Sequence, residues 1–196
     1  NILPYGISTA LQNSRSNLVD AYKKNELESK IGLGIYALSA IIVDKAEPSE
    51  ALKATVAWSL GLEKPVHLVS SLQLNNFRQG IDIQEETDVR AEKGAYFVHD
   101  NLNLAANAEK EWLIVADVNK NHAAIAKIEK AIKEDDDLYN SVNADVESGT
   151  QNLIELVNAS DGVQATADTL KDTRHFANTL FNIMRGGIFD NNYQIE

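Results

Sequence analysis

From residue 51 to residue 62 apolar side chains fall on alternate positions, Leu52, Ala54, Val56, Trp58, Leu60 and Leu62, with Lys53, Thr55 and Ser59 among those between them. Successive side chains of an extended chain point to opposite faces, so this spacing predicts a strand with one buried and one wetter face in an antiparallel sheet. Residues 31–43 are apolar at both parities, with Leu33, Ile35 and Ile41 on one and Tyr36, Leu38 and Ile42 on the other. They predict a central strand covered on both sides. Residues 44–50, which include Pro48, form the turn between these two strands. A short strand over 66–70 follows the turn at 61–65, and residues 72–78 give a single helical turn ended by Gly80. Two apolar runs, 95–104 and 111–118, are joined by 105–110 and predict a hairpin whose second run, Trp112 to Ala116, is a core strand. The first 20 residues, with Pro4 and Gly6, are less periodic and read as a long edge segment.

After Asp117 the period becomes helical. Asn119 or Asn121 can cap a helix in which Ile125, Ile128 and Ile132 make an apolar stripe while Lys127, Lys130 and Lys133 stay in water. Asp135, Asp136 and Asp137 place negative charge at the start of the next helix, where Leu138, Val142 and Val146 are four apart. Leu153, Leu156 and Val157 continue that face beyond Gly149, a residue expected to break or kink the helix. Residues 158–162 read as a loop, and a last helix runs from near Asp172 to Gly186 and Gly187. Strands first and helices afterwards define an α+β chain, with an antiparallel β-sandwich over 1–118 and a helical segment of about three helices over 119–196.

Composition narrows the classes. The 196 residues suit one domain or little more, and 44% hydrophobic with 24% charged residues is globular usage. The net charge of −11 repels phosphate backbones and anionic lipid, which makes nucleic acid and membrane surfaces poor partners. The longest apolar stretches fall short of a membrane span. The absence of cysteine removes disulfides and thiolate chemistry, and fits both a reducing compartment and a large-cored exported protein, with the cytoplasm favoured. A chain that opens on Asn1 and stops just after an apolar helix reads as a part of something larger.

Self-contained chemistry is hard to find. His67, His99, His122 and His175 are far apart, with no HxH or HxxxH spacing, so neither a metal site nor a cofactor is expected. His99 and Asp100 could work as an oriented base or be an exposed pair on the hairpin. Phosphate-cradling strings do not occur, since Gly32-Leu33-Gly34 lacks a third glycine and the following helix. Glycoside chemistry needs a protonated acid in a shielded cleft, and no carboxylate is singled out for it. Glu134 to Asp137 are read as a solvated helix start, and Glu85, Glu86, Asp88 and Glu92 as a charged sheet edge that discourages aggregation. Asn158-Ala159-Ser160 is a glycosylation sequon short enough to arise by chance.

Tyr5, Tyr36, Trp58, Tyr96 and Trp112 could make a sugar-stacking platform. Trp58 shares its parity with Val56 and Leu60, and Trp112 with Ile114, which favours core packing for both tryptophans. Tyr5 is the least constrained. The most informative segment is 174–187. On a helix Phe176, Leu180, Phe181 and Met184 form an apolar face, while Arg174, Asn178, Asn182 and Arg185 form a second ridge. Asparagine is a mediocre helix former, so that ridge suits a neighbouring domain or a sugar, or else it is simply exposed.

The strings NILPYG at 1–6, DKAEPSEAL at 44–52, GAYF at 94–97, WLIVADV at 112–118 and RHFANTLFNIMRGG at 174–187, in that order, resemble the N-terminal part of cellobiose-phosphorylase-like carbohydrate-active proteins. The resemblance implies a supersandwich-like β-domain and a helical linker leading to an (α/α)6 barrel. It implies that the general acid and the phosphate-binding residues belong to the barrel, so no catalytic position is carried over. The expected partners are that barrel, an oligosaccharide and, for an uncovered apolar seam, a second copy of the chain. The leading expectation is a non-catalytic sandwich and linker of a larger protein acting on β-glucosides by phosphorolysis or related glycosyl transfer. The alternative is a free-standing carbohydrate-binding or protein-interaction module.

Overall fold

The computed structural model of the protein describes residues 20–40 and 52–185. The expected edge segment with Tyr5, the turn at 44–50 and the closing Gly186 and Gly187 lie outside the described residues, apart from position 20. The described chain is α+β. Its strands are β1 (Lys23–Glu28), β2 (Leu33–Leu38), β3 (Ala54–Leu60), β4 (Val66–Ser70), β5 (Asp88–Arg90), β6 (Gly94–His99) and β7 (Leu113–Lys120). The helices are α1 (Leu74–Arg78), α2 (His122–Glu134), α3 (Leu138–Ala159) and α4 (Thr169–Met184).

Among the described residues two antiparallel sheets form, one of five strands in the order β5-β1-β2-β3-β7 and one of two, β4-β6. The register Gly34↔Ala57, Ala57↔Ala116 and Leu27↔Gly34 places these residues on one face of the larger sheet. On that face Leu27, Tyr36 and Ala57 pack with Val69 of β4, and Tyr96 of β6 leans on the same cluster. On the opposite face Leu33, Val56 and Trp58 make a second cluster, covered by Val115 and by Ile125, Ile128 and Ile132 of α2. The isoleucine stripe of α2 therefore does what its spacing predicts. Asn121 caps the helix, its side chain accepting from the Ala124 N–H at 2.9 Å, a contact worth ~1 kcal/mol.

The chain divides into two compact units, Asn1–Asp136 and Asp137–Glu196. In the second unit the hairpin of α3 and α4 closes tightly. Val157 is fully buried, Gly162 lies against Val157 and Thr179, and the ring nitrogen Nε2 of His175 is 2.8 Å from the Asp161 carbonyl.

Several expectations are corrected. Residues 95–104 and 111–118 do not form a hairpin: β6 pairs with β4 and β7 with β3, so two runs adjacent in sequence enter different sheets. Strand β3 has no wet face along its first half, because Thr55 and Ala57 are as buried as Val56. Trp112 and Ile114 are exposed rather than core, at 47% and 54%, because β7 is an edge strand whose outer end of that face is uncovered. Gly149 neither breaks nor ends α3, which runs through it with open space around its α-carbon. The last helix begins at Thr169, with Asp168 as its cap, and Asp172 lies in its first turn. Strand β1 went unrecognised because its inward positions include Lys23 and Asn25, a polar pair that alternation cannot flag.

Candidate functional site

A buried polar group lies in the first unit, where β3, β4, β6 and the loop before β5 meet. Strand β3 carries Ser59 at a half-buried position on the face shared with Ala57. Strand β4 is an apolar run interrupted by His67, which is 5% exposed and so sits inside. Ser59 Oγ and His67 Nε2 are 3.2 Å apart, within hydrogen-bonding range. The other ring nitrogen, Nδ1, is buried with no hydrogen-bond partner, and the Glu85 carboxylate stands 3.7 Å from it. Tyr96 completes the group. Its hydroxyl donates to the Gly32 carbonyl at 2.6 Å, lies 3.4 Å from Ser59 Oγ, and its ring is tilted against the imidazole with centroids 5.7 Å apart.

Burial dominates the electrostatics. It holds the His67 imidazole below its ordinary pKa, with Glu85 pulling the other way, so the ring is neutral near neutral pH. It pushes the Tyr96 hydroxyl up to about 12, against the opposing effect of the Ser59 hydrogen bond. Burial, with Tyr96 and Glu86 adding to it, raises the Tyr36 phenol still further, and that hydroxyl donates to the Ala95 carbonyl at 3.2 Å. Both tyrosines are hydrogen-bond donors here.

Glu86, read from sequence as part of a charged sheet edge, is 8% exposed. Its Oε2 accepts from the Val69 N–H at 3.0 Å, the Ser70 N–H at 2.8 Å and the Ser70 hydroxyl at 2.9 Å, and its Oε1 accepts from Gln73 Nε2 at 2.9 Å. A buried carboxylate survives by collecting such donors. Its work is to tie the loop before β5 to β4, which sets Glu85 beside His67. Asp88 does lie on an edge strand, where the Arg90 guanidinium binds it through Nε and Nη2 and holds its carboxyl below the usual range.

In order, Glu85, His67 and Ser59 reproduce the acid, imidazole and hydroxyl sequence used to activate a nucleophile. The 3.7 Å gap exceeds a hydrogen bond, and the Ser59 hydroxyl faces Tyr96 and His67 in the packing between strands. Sequence reasoning missed the group because its members come from three segments; the one local signal is a histidine inside an apolar strand.

The residues expected to bind or to form a junction fall in both units, and Tyr5 lies outside the described residues. Tyr96 is half-buried and tethered at its hydroxyl, while Trp112 stands exposed just before β7, so the two do not make one stacking platform. Arg174, Asn178, Asn182 and Arg185 are all exposed, the first three on α4 and Arg185 at its end. His99 and Asp100 line an open cleft with Phe77, Asp82 and Lys64, and the His99 ring meets Phe77 edge-on at 5.5 Å. Among the described residues no group of three or more acidic or histidine side chains is placed to hold a metal ion, and no helix is long and apolar enough to cross a membrane. Compared with known proteins, the chain matches no family model and no curated protein.

Proposed function

We propose that this chain is the non-catalytic β-sandwich and helical linker of a larger carbohydrate-active protein, similar to the cellobiose phosphorylases, in which the two antiparallel sheets make the sandwich and α2 to α4 the linker. The observation that carries the reading is the character of α4. Its sequence holds the string that bears the resemblance, yet the helix buries no residue, and Leu170, Phe181 and Met184 are 57%, 60% and 76% exposed. Apolar side chains at that exposure on a helix with a polar ridge suit a surface meant to be covered. In this reading the cover is an (α/α)6 barrel of the parent protein, and the substrate is a β-glucoside cleaved there by phosphate. The dispersal of Tyr96 and Trp112 fits a supporting part better than a sugar-binding one.

The chain alone, incubated with cellobiose and inorganic phosphate, is expected to form no sugar phosphate. Turnover by the chain alone would overturn the reading. In the parent protein Phe181→Asp with Met184→Asp should lower both phosphorolysis and melting temperature, and a variant unchanged in both would count equally against it.

The alternative, a carbohydrate-binding module, is favoured by one feature, the open cleft in which Phe77, 51% exposed, lies near Asp82, Asp100 and His99. Titration with cello-oligosaccharides separates the two. Binding lost in Phe77→Ala would establish the module, and no binding by the intact chain supports the scaffold.

A further inference from the structure

Glu85 is braced on both sides. Before it, Gln84 exchanges two hydrogen bonds with the Gln73 side chain, its N–H donating to Oε1 at 2.9 Å and its carbonyl accepting from Nε2 at 2.8 Å. After it, the Glu86 N–H donates to the His67 carbonyl at 3.1 Å, and the Glu86 carboxylate is fixed to β4. The Glu85 side chain, 32% exposed, is thereby held beside Nδ1 of His67, the buried ring atom with no hydrogen-bond partner. An orphaned ring nitrogen in low dielectric costs free energy, and this one faces the acceptor that a charged ring needs. On the other side of the ring, Ser59 is half-buried at the border of the covered face. Its register partner Ile114 points to the same face and is 54% exposed, and Ala116, two residues along β7, is exposed as well. The hydroxyl that touches the imidazole therefore adjoins open apolar surface.

We infer that Ser59 is a nucleophile with His67 as its base and Glu85 as the positioning residue behind the ring, and that the chain cleaves carboxylic esters of apolar acyl groups, the acyl chain lying on Ile114 and Ala116. This activity is separate from the glycoside reaction proposed for the barrel and uses no residue of α4. In the neutral ring Nδ1 carries its proton towards Glu85, and Nε2 accepts from the Ser59 hydroxyl across 3.2 Å. Ser59 Oγ adds to the ester carbonyl carbon as its proton passes to Nε2. As the ring gains charge, rotation of the Glu85 side chain closes the 3.7 Å gap to Nδ1. The Tyr96 hydroxyl, 3.4 Å from Ser59 Oγ, turns from the Gly32 carbonyl to the developing oxyanion. The tetrahedral centre then collapses, the bond to the alcohol oxygen breaks, and the leaving alkoxide takes the proton from Nε2. Water adds to the acyl-serine with the same imidazole as base, which releases the carboxylic acid and restores Ser59.

The intact chain should hydrolyse p-nitrophenyl butyrate, and Ser59→Ala, which removes one half-buried hydroxyl and should keep the circular dichroism of the intact chain, should lower the rate by about 100-fold. A fluorophosphonate probe should label the intact chain at Ser59, located by peptide mass spectrometry, and spare Ser59→Ala. Glu85→Gln should lower kcat with KM unchanged, and Ile114→Asp should raise KM with kcat unchanged, a split that a loss of folded protein does not produce. No hydrolysis above buffer by the intact chain, hydrolysis retained in Ser59→Ala, or labelling at another serine would each overturn the inference. None of these results bears on phosphorolysis, which is read separately with cellobiose and phosphate.

Discussion

The imidazole of His67 occupies the space that a side chain at Gly32 would need: a Cβ there would lie 2.5 Å from both Cε1 and Nε2. Gly32 also has φ +64, in the left-handed region that residues with a side chain avoid. Its carbonyl takes the Tyr96 hydroxyl, so one glycine seats two rings.

Replacing Gly32 by Ala therefore meets strain and a clash together. Gly32→Ala is expected to cost ~2–4 kcal/mol, read from urea unfolding at neutral pH. Gly80→Ala is the control: it shares a positive φ of +72 but has nothing within 4 Å of its Cβ position, and should cost only the backbone penalty of ~1 kcal/mol.

Glu86 is the second anchor. Glu86→Ala strands the Val69 and Ser70 N–H groups, and should destabilise the first unit by ~3 kcal/mol. Glu86→Gln keeps the shape but turns an amide toward some of the same donors, and should fall between. Hydrogen exchange at Val69 and Ser70 would show whether the loss is centred there; uniform destabilisation without faster local exchange would speak against the role given to this carboxylate.

The pH dependence follows from His67. Its native pKa is lowered from 6.5 by burial, so the unfolded chain takes up the proton first. Stability from this residue is complete above 6.5 and is lost as the pH falls from there towards the lowered native value. Unfolding free energies at steps between pH 8 and pH 5 should decline through that window, and His67→Gln should flatten this part of the profile. A wild-type curve that rises as the pH drops below 6.5 would contradict the neutral, buried imidazole.

In the second unit Gly162 is the equivalent close contact. A Cβ there would lie 2.4 Å from Val157 Cγ1 and 2.7 Å from Thr179 Cγ2, and its N–H caps α3 by donating to the Val157 carbonyl at 2.8 Å. Gly162→Ala should cost ~1–3 kcal/mol and expose the loop between α3 and α4 to limited proteolysis, with melting followed by helical circular dichroism.

Much of the fold was legible along the chain because side-chain period is a local property. The double-sided run around Leu33 and Tyr36, the isoleucine stripe of α2, the cap at Asn121 and the order of strands before helices all follow from residues within a few positions of one another. What failed were judgements about partners. Strands β6 and β7 look like a hairpin because they are neighbours in sequence, yet the burial available at β4 and β3 outweighs the short connection. Trp112 and Trp58 sit in similar apolar strings, but only one of those strands is central. Lys23 and Asn25 point inward where polarity predicts the opposite, held by Asp20 and by the Glu92 carbonyl.

The polar group at Ser59, His67 and Glu85 marks the same boundary. Sequence by itself determined which stretches extend and which coil, since that depends on spacing and turn chemistry between near neighbours. Only the tertiary structure decided which strand lies at an edge, which acid is buried and which imidazole meets which hydroxyl, because burial and pairing energies are settled between residues far apart in the chain.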